Sequence, residues 1–191
     1  CITFDDINLK AYGRSFGSSF LQGKNRFEIE TESDYVNLMV QHGDLCSDLS
    51  SDYNAITPTF VKNSGMDYIA LGHIHRAQKC GGNEYIRYSG TPLKYSFSEA
   101  GDEKTVTIIE MKEKGNISLD FIPLVPMRDM AEIKGTYEEL TLKSFRENTS
   151  YNEDYMHITL TDEDDIPDVL TKLRVIYKNI MKIDYDNKRT R

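Results

Sequence analysis

Met66-Asp67-Tyr68-Ile69-Ala70-Leu71-Gly72-His73-Ile74-His75 is the stretch on which the reading of this 191-residue chain turns. Met66 to Leu71 is a short apolar run between Gly65 and Gly72, which predicts a buried strand rather than a helix. The strand ends in Gly-His-Ile-His. Upstream, Tyr35 to Val40 is a second run of the same kind, ending at Gln41-His42-Gly43-Asp44. Between the two, Thr57-Pro58 predicts a helix start, with Thr as N-cap and Pro at the first helical position. Gly65, after Ser64, supplies the left-handed stop. Strand, loop, helix, strand is the rhythm of a layered α/β fold.

Three of the four histidines therefore follow buried strands: His42 after the first, His73 and His75 after the second. In open α/β sheets, ligands bind beyond the carboxyl ends of strands. Imidazoles placed there suit transition metals, and the neighbouring glycines Gly43 and Gly72 let backbone come close. A second metal reading uses thiols, pairing His42 with Cys46 and His73/His75 with Cys80. Its spacings match no common zinc ribbon or finger. The fourth histidine, His157, lies inside an alternating strand and reads as structural.

Working outward, Phe27 to Glu30 alternates as a short strand, and Tyr12 to Ser19 is rich in Gly and Ser and reads as loop. Glu84 to Tyr88 is another short strand, running into the turn cluster Ser89-Gly90-Thr91-Pro92. Thr105 to Met111 and Ile117 to Leu124 alternate around Lys112-Glu113-Lys114-Gly115-Asn116 and predict a hairpin. Beyond Pro126 the texture changes. Thr136-Tyr137-Glu138-Glu139 is a capping box, and Tyr155 to Thr161 alternates. Asp165-Ile166-Pro167 predicts a helix with Leu170, Leu173 and Val175 or Ile176 on one face. Ile180 to Tyr185 is a last strand. The acidic run Asp162-Glu163-Asp164-Asp165 lacks the Gly and distal Glu of an EF-hand and reads as a turn and helix start.

The chain carries 23 Lys+Arg against 31 Asp+Glu, a formal net charge of −8. That average argues against bulk nucleic-acid binding, which leaves a basic footprint. Locally it divides: residues 1–125 carry −5, 126–171 carry −8 and 172–191 carry +5. The last segment holds Lys178 and Lys182 with Tyr177 and Tyr185 among them. This is either a stripe that tracks a phosphate backbone or a solvated face. Arg87 and Lys94 flank the 89–92 turn as further phosphate candidates. Three cysteines (Cys1, Cys46, Cys80) form no disulfide pattern, which makes a reducing cytoplasm the expectation. No apolar run is long enough for a membrane span. The chain opens on Cys1 without a signal-peptide pattern, so it reads as part of a longer protein.

Gly72-His73-Ile74-His75 with His42-Gly43 resembles the last two metal motifs of the calcineurin-like metallophosphoesterases. Tyr88-Ser89-Gly90-Thr91-Pro92-Leu93-Lys94-Tyr95-Ser96-Phe97-Ser98-Glu99-Ala100, Val106 to Glu110, and Ile122-Pro123-Leu124-Val125-Pro126-Met127-Arg128 narrow the resemblance to the SbcD branch of DNA-repair nuclease subunits. The resemblance implies an α/β fold: residues 1–125 as the second half of a metallophosphoesterase sandwich, two sheets flanked by helices. Residues 126–191 would be a small α+β capping domain that positions DNA. It implies two divalent metal ions, usually manganese, with His42 and His73 on one and His75 on the other. It also implies an SbcC-like ATPase partner, a homodimeric nuclease subunit, and ATP-dependent double-strand exonuclease and single-strand endonuclease activity in DNA repair and recombination. The family's earlier motifs, Asp-x-His, Gly-Asp-x-x-Asp and Asn-His, are absent here. The bridging aspartate and general acid are thus missing, and this chain alone is expected to be inactive. Two other readings stay open: a phosphoesterase acting on a small phosphodiester, and a binding module without catalysis.

Overall fold

The computed structural model describes residues 1–14, 29–45 and 55–190, and it divides into two compact units. The first comprises residues 1–92 and 103–124; the second comprises 93–102 and 125–191. Residues 93–102 thus belong with the second unit, although they precede the proline boundary at 126.

The first unit is built on a six-stranded sheet: β1 (Ile2–Phe4), β2 (Leu9–Arg14), β3 (Val36–His42), β4 (Tyr68–Gly72), β5 (Gln78–Cys80) and β6 (Asn83–Tyr88). Their spatial order is β1-β2-β3-β4-β6-β5. The inner pairs β2/β3, β3/β4 and β4/β6 are parallel, and the two outer pairs are antiparallel. The two buried runs of the sequence are the central neighbours β3 and β4. Helix α1 (Pro58–Asn63) lies between them in sequence. Thr57 accepts the Phe60 amide as N-cap, and Gly65 follows at φ +69°. One face of the sheet carries Met39, Ile69, Leu71, Ile86 and Tyr88, which form a core with Ile56, Cys80 and Val61 of α1.

The predicted hairpin is β7 (Thr105–Glu113) and β8 (Asn116–Pro123), turned at Gly115 with φ +80°. It packs on the six-stranded sheet: the Arg87 guanidinium lies 4.4 Å from the Phe121 ring centroid, and Lys114 donates to the Tyr35 carbonyl at 2.8 Å.

The second unit runs β9 (Met130–Gly135), α2 (Tyr137–Thr141), α3 (Lys143–Arg146), β10 (Tyr155–Leu160), α4 (Val169–Arg174) and β11 (Asn179–Tyr185). The sheet order is β11-β10-β9, with both pairs parallel. Parallel neighbours require crossovers, so the unit expected as α+β is in fact two β-α-β steps. Thr136 and Glu139 form the capping box of α2. Met156, Ile158 and Leu160 project from one face of β10 into a core with Leu140 of α2, Leu173 of α4 and Tyr177.

Some expectations need correction. Tyr12 to Arg14, expected as loop, belong to β2, and Ile29 and Glu30 form no strand. Residues 15–19, Phe27 and Glu28 lie outside the described residues. Strand β9 escapes the sequence reading. Helix α4 starts at Val169, not at Asp165, because Asp168 takes a left-handed conformation at φ +53°. Of its expected apolar face only Leu173 and Ile176 join the core, while Val175 is 84% exposed. The architecture is mixed α/β with several sheets and few helices among the described residues.

Candidate functional site

His42 closes β3 and stands directly beside Gly72, which closes β4. Parallel register brings the ends of both strands to the same edge of the sheet. Gly43 donates its amide to the Gly72 carbonyl at 3.0 Å, tying the two strand-end loops together. A β-carbon on Gly72 would lie 3.1 Å from His42 Nδ1, so the glycine makes room for the imidazole. His73 turns out of β4 at φ +121°, a region that non-glycine residues avoid. Its ring meets that of His42 edge-on, with centroids 5.6 Å apart.

Two further contacts hold these loops. The Tyr88 hydroxyl donates to the Gly43 carbonyl at 3.0 Å and accepts the Leu45 amide at 2.8 Å, clamping the segment that follows His42. The His75 carbonyl accepts from the Thr91 amide at 3.1 Å and from the Lys104 ammonium at 3.0 Å. Gly90 sits against the same turn at φ +76°, where a β-carbon would come within 2.8 Å of the His75 carbonyl and the Ala77 amide. Sequence reading misses Tyr88, Gly90 and Lys104 as parts of the site. For Tyr88 and Gly90 the available signal is their place in the block that follows Gly-His-Ile-His.

The structure brings His42 and His73 together. His75, two residues on from His73, is exposed, as is His42. Among the described residues, no group of three or more His, Cys, Asp or Glu side chains converges as a metal cage. The adjacent imidazoles fit a transition metal by donor type, as a partial ligand set. The thiol alternative finds no support at Cys80: its side chain is buried in the core, and burial pushes its thiol up, away from the thiolate a metal needs. Cys46 lies outside the described residues.

Arg87 and Lys94, considered for phosphate, are engaged in the fold. Arg87 pairs with Glu84 at 2.9 Å, and Lys94 reaches Asp129 at 2.9 Å and the Ala100 carbonyl at 2.7 Å. In the carboxy-terminal stripe, Lys178 pairs with Glu153 and Lys182 with Asp184. Lys182 and His157, in that order, hold the Asp184 carboxyl below its usual range. Tyr177 is fully buried and donates to the Leu140 carbonyl at 2.5 Å, so it presents no face for base stacking. His157 is structural, as expected: its two ring nitrogens lie 2.6 Å from Glu132 and 2.8 Å from Asp184. The acidic run is a turn, with Asp162 accepting the Tyr137 amide at 2.8 Å. No helix among the described residues is long and apolar enough to cross a membrane.

Known proteins share this chain's sequence in two ways. Residues 126–191 match the family SbcD_C, described as the type 5 capsule protein repressor C-terminal domain. The chain is 28% identical to the SbcD subunit of the nuclease SbcCD from Staphylococcus epidermidis over 187 residues, covering 94% of this chain and 48% of that protein. It is 34% identical to the protein of the same name from Staphylococcus saprophyticus over 117 residues, covering 61% of this chain and 30% of that one. It therefore spans less than half the length of these relatives. The chain is thus similar in sequence to the SbcD subunits of SbcCD nucleases, and its residues 126–191 match the SbcD_C family.

Proposed function

We propose that this chain forms the later part of a metal-dependent DNA phosphodiesterase, the nuclease subunit of an SbcCD-type complex. The observation that carries the reading is the pair of imidazoles, His42 and His73, which meet in a T-shaped contact at the ends of adjacent parallel strands. His42 and His73 would hold one divalent ion and His75 a second, with manganese the expected metal. Such ions, when bound, neutralise phosphate charge and supply an activated water. The chain's own residues orient the imidazoles: Gly72 leaves room for one, and Tyr88 fixes the backbone behind it. The chain lacks the Asp-x-His, Gly-Asp-x-x-Asp and Asn-His motifs, so by itself it is expected to be inactive toward DNA. In the longer protein the partner is an SbcC-like ATPase, the subunit is a homodimer, and the products are those of double-strand exonuclease and single-strand endonuclease cleavage in DNA repair. Lys178 and Lys182 would meet DNA only by exchanging their present carboxylate partners for phosphate.

The test compares this chain with a longer protein that adds the Asp-x-His, Gly-Asp-x-x-Asp and Asn-His motifs. With manganese, the longer protein is expected to cleave duplex DNA ends and this chain is not. His73→Ala in the longer protein is expected to abolish cleavage. Cleavage of a small chromogenic phosphodiester but not of DNA would favour the small-substrate reading. No hydrolysis of either would favour a binding module.

A further inference from the structure

We propose that Lys104 is a positioning residue of the candidate site, which locks the turn that bears His73 and His75. The proposal rests on the metal-site reading above and adds a residue that the histidine motifs do not contain. Lys104 lies just before β7, 29 residues beyond His75, and is 5% exposed. Lysine is almost never this buried unless its ammonium is paired. Its Nζ donates to the His75 carbonyl at 3.0 Å and to Thr91 Oγ1 at 3.2 Å.

The His75 carbonyl is the convergence point. It also accepts from the Thr91 amide at 3.1 Å and from Thr91 Oγ1 at 3.4 Å. A carbonyl has two lone pairs, so three donors crowd it, and the one bearing a full charge makes the strongest bond. Two residues earlier, His73 is held at φ +121°. Backbone in such a region persists only where its surroundings over-determine it. The ammonium, Thr91 and the close approach of Gly90 are that surrounding, and all act on the turn and not on the rings. Lys104 thus fixes the backbone from which both imidazoles project. This is the task of an outer partner that orients metal ligands without touching the metal.

The experiment uses the 191-residue chain with Lys104→Met and Lys104→Arg. Hydrogen exchange of backbone amides reads the turn without any metal. In Lys104→Met, residues 73–77 and the Thr91 amide are expected to exchange about tenfold or more faster, the loss of a charge-assisted bond. Met39 and Ile69 should keep their protection, and Lys104→Arg should restore most of the turn. Equal exchange in wild type and Lys104→Met, or uniform acceleration through β3 and β4, overturns the proposal.

The second readout is broadening of the His42 and His73 ring resonances by Mn2+. Its midpoint is expected to rise about tenfold to a hundredfold in Lys104→Met, the usual effect of losing an outer partner. A loosened turn with an unchanged midpoint overturns the positioning role. If Mn2+ leaves the wild-type rings unbroadened, the metal reading fails, and the exchange measurement alone decides whether Lys104 locks the turn.

Discussion

In the second unit Leu140, Met156, Ile158, Leu160, Leu173 and Tyr177 are fully buried, whereas in the first Val40, Val106, Ile108, Phe121 and Ile122 stand 43 to 53% exposed on their strands. The second unit covers each strand locally: β9 leads to α2, β10 to α4, and both helices send a leucine into one enclosed core. In the first unit the clustered core lies on the sheet face that carries Met39, Ile69 and Leu71, while on the opposite face Val36 and Tyr68 are buried and Val40 is 53% exposed. By strand alternation, Val40 and His42 share the other face. The candidate site thus lies at the exposed end of the face opposite that core, and its strand-end loops are held by hydrogen bonds from Tyr88, Thr91 and Lys104.

The largest test of that contrast is truncation of a core leucine. Leu173→Ala is expected to cost about 2–5 kcal/mol, because it removes a fully buried side chain and leaves a cavity. Val106→Ser, on the hairpin, should stay within about 0.5 kcal/mol, as surface changes usually do. Denaturant unfolding measures both, and comparable losses would erase the distinction between the units.

A smaller effect probes the loop that holds the site. Gly90→Ala places a β-carbon 2.8 Å from two backbone atoms in a left-handed conformation. It should cost more than about 1 kcal/mol. The Thr91 amide, which donates to His75, should lose protection against exchange. An unchanged melting temperature with full Thr91 protection would show that the turn tolerates displacement.

The smallest effect is in acid. The Thr136 backbone and side chain hold the Glu139 carboxyl below its usual range, and Lys182 and His157 do the same for Asp184. Each folded carboxyl therefore ionises at lower pH than the unfolded one. The stability it contributes is present above the unfolded value and is lost as pH falls through the folded one. The second unit should lose part of its stability as pH drops below the ordinary carboxylate values of 4.5 for Glu and 3.8 for Asp. Thr136→Ala should flatten that loss. The pH dependence of thermal unfolding, followed on second-unit resonances, checks it, and identical profiles would remove the capping box from the account.

Legibility follows the physics of each segment. The β3 and β4 runs, the Thr57-Pro58 cap, Gly65, the hairpin about Gly115 and the Thr136–Glu139 box rest on local rules, and the structure contains them at those places. Strand β9 is illegible because Met130-Ala131-Glu132-Ile133-Lys134-Gly135 buries only Ile133 fully, so its alternation is faint. Strand β2 reads as loop at its end because Gly13 and Arg14 hide a pairing that only β3 supplies. The basic stripe misleads in one respect, since a tyrosine between lysines looks the same whether it faces solvent or core.

The sequence by itself determined where the imidazoles lie: His42 ends one buried strand, His73 and His75 follow the next, and their neighbouring motifs resemble those of the SbcD nucleases. The tertiary structure decided which of them meet. Parallel register sets His42 against Gly72 and so against the ring of His73, a juxtaposition of residues far apart in the chain. It also decided that Lys104 is an internal anchor, because the destination of a lysine ammonium depends on carbonyls that no local pattern announces.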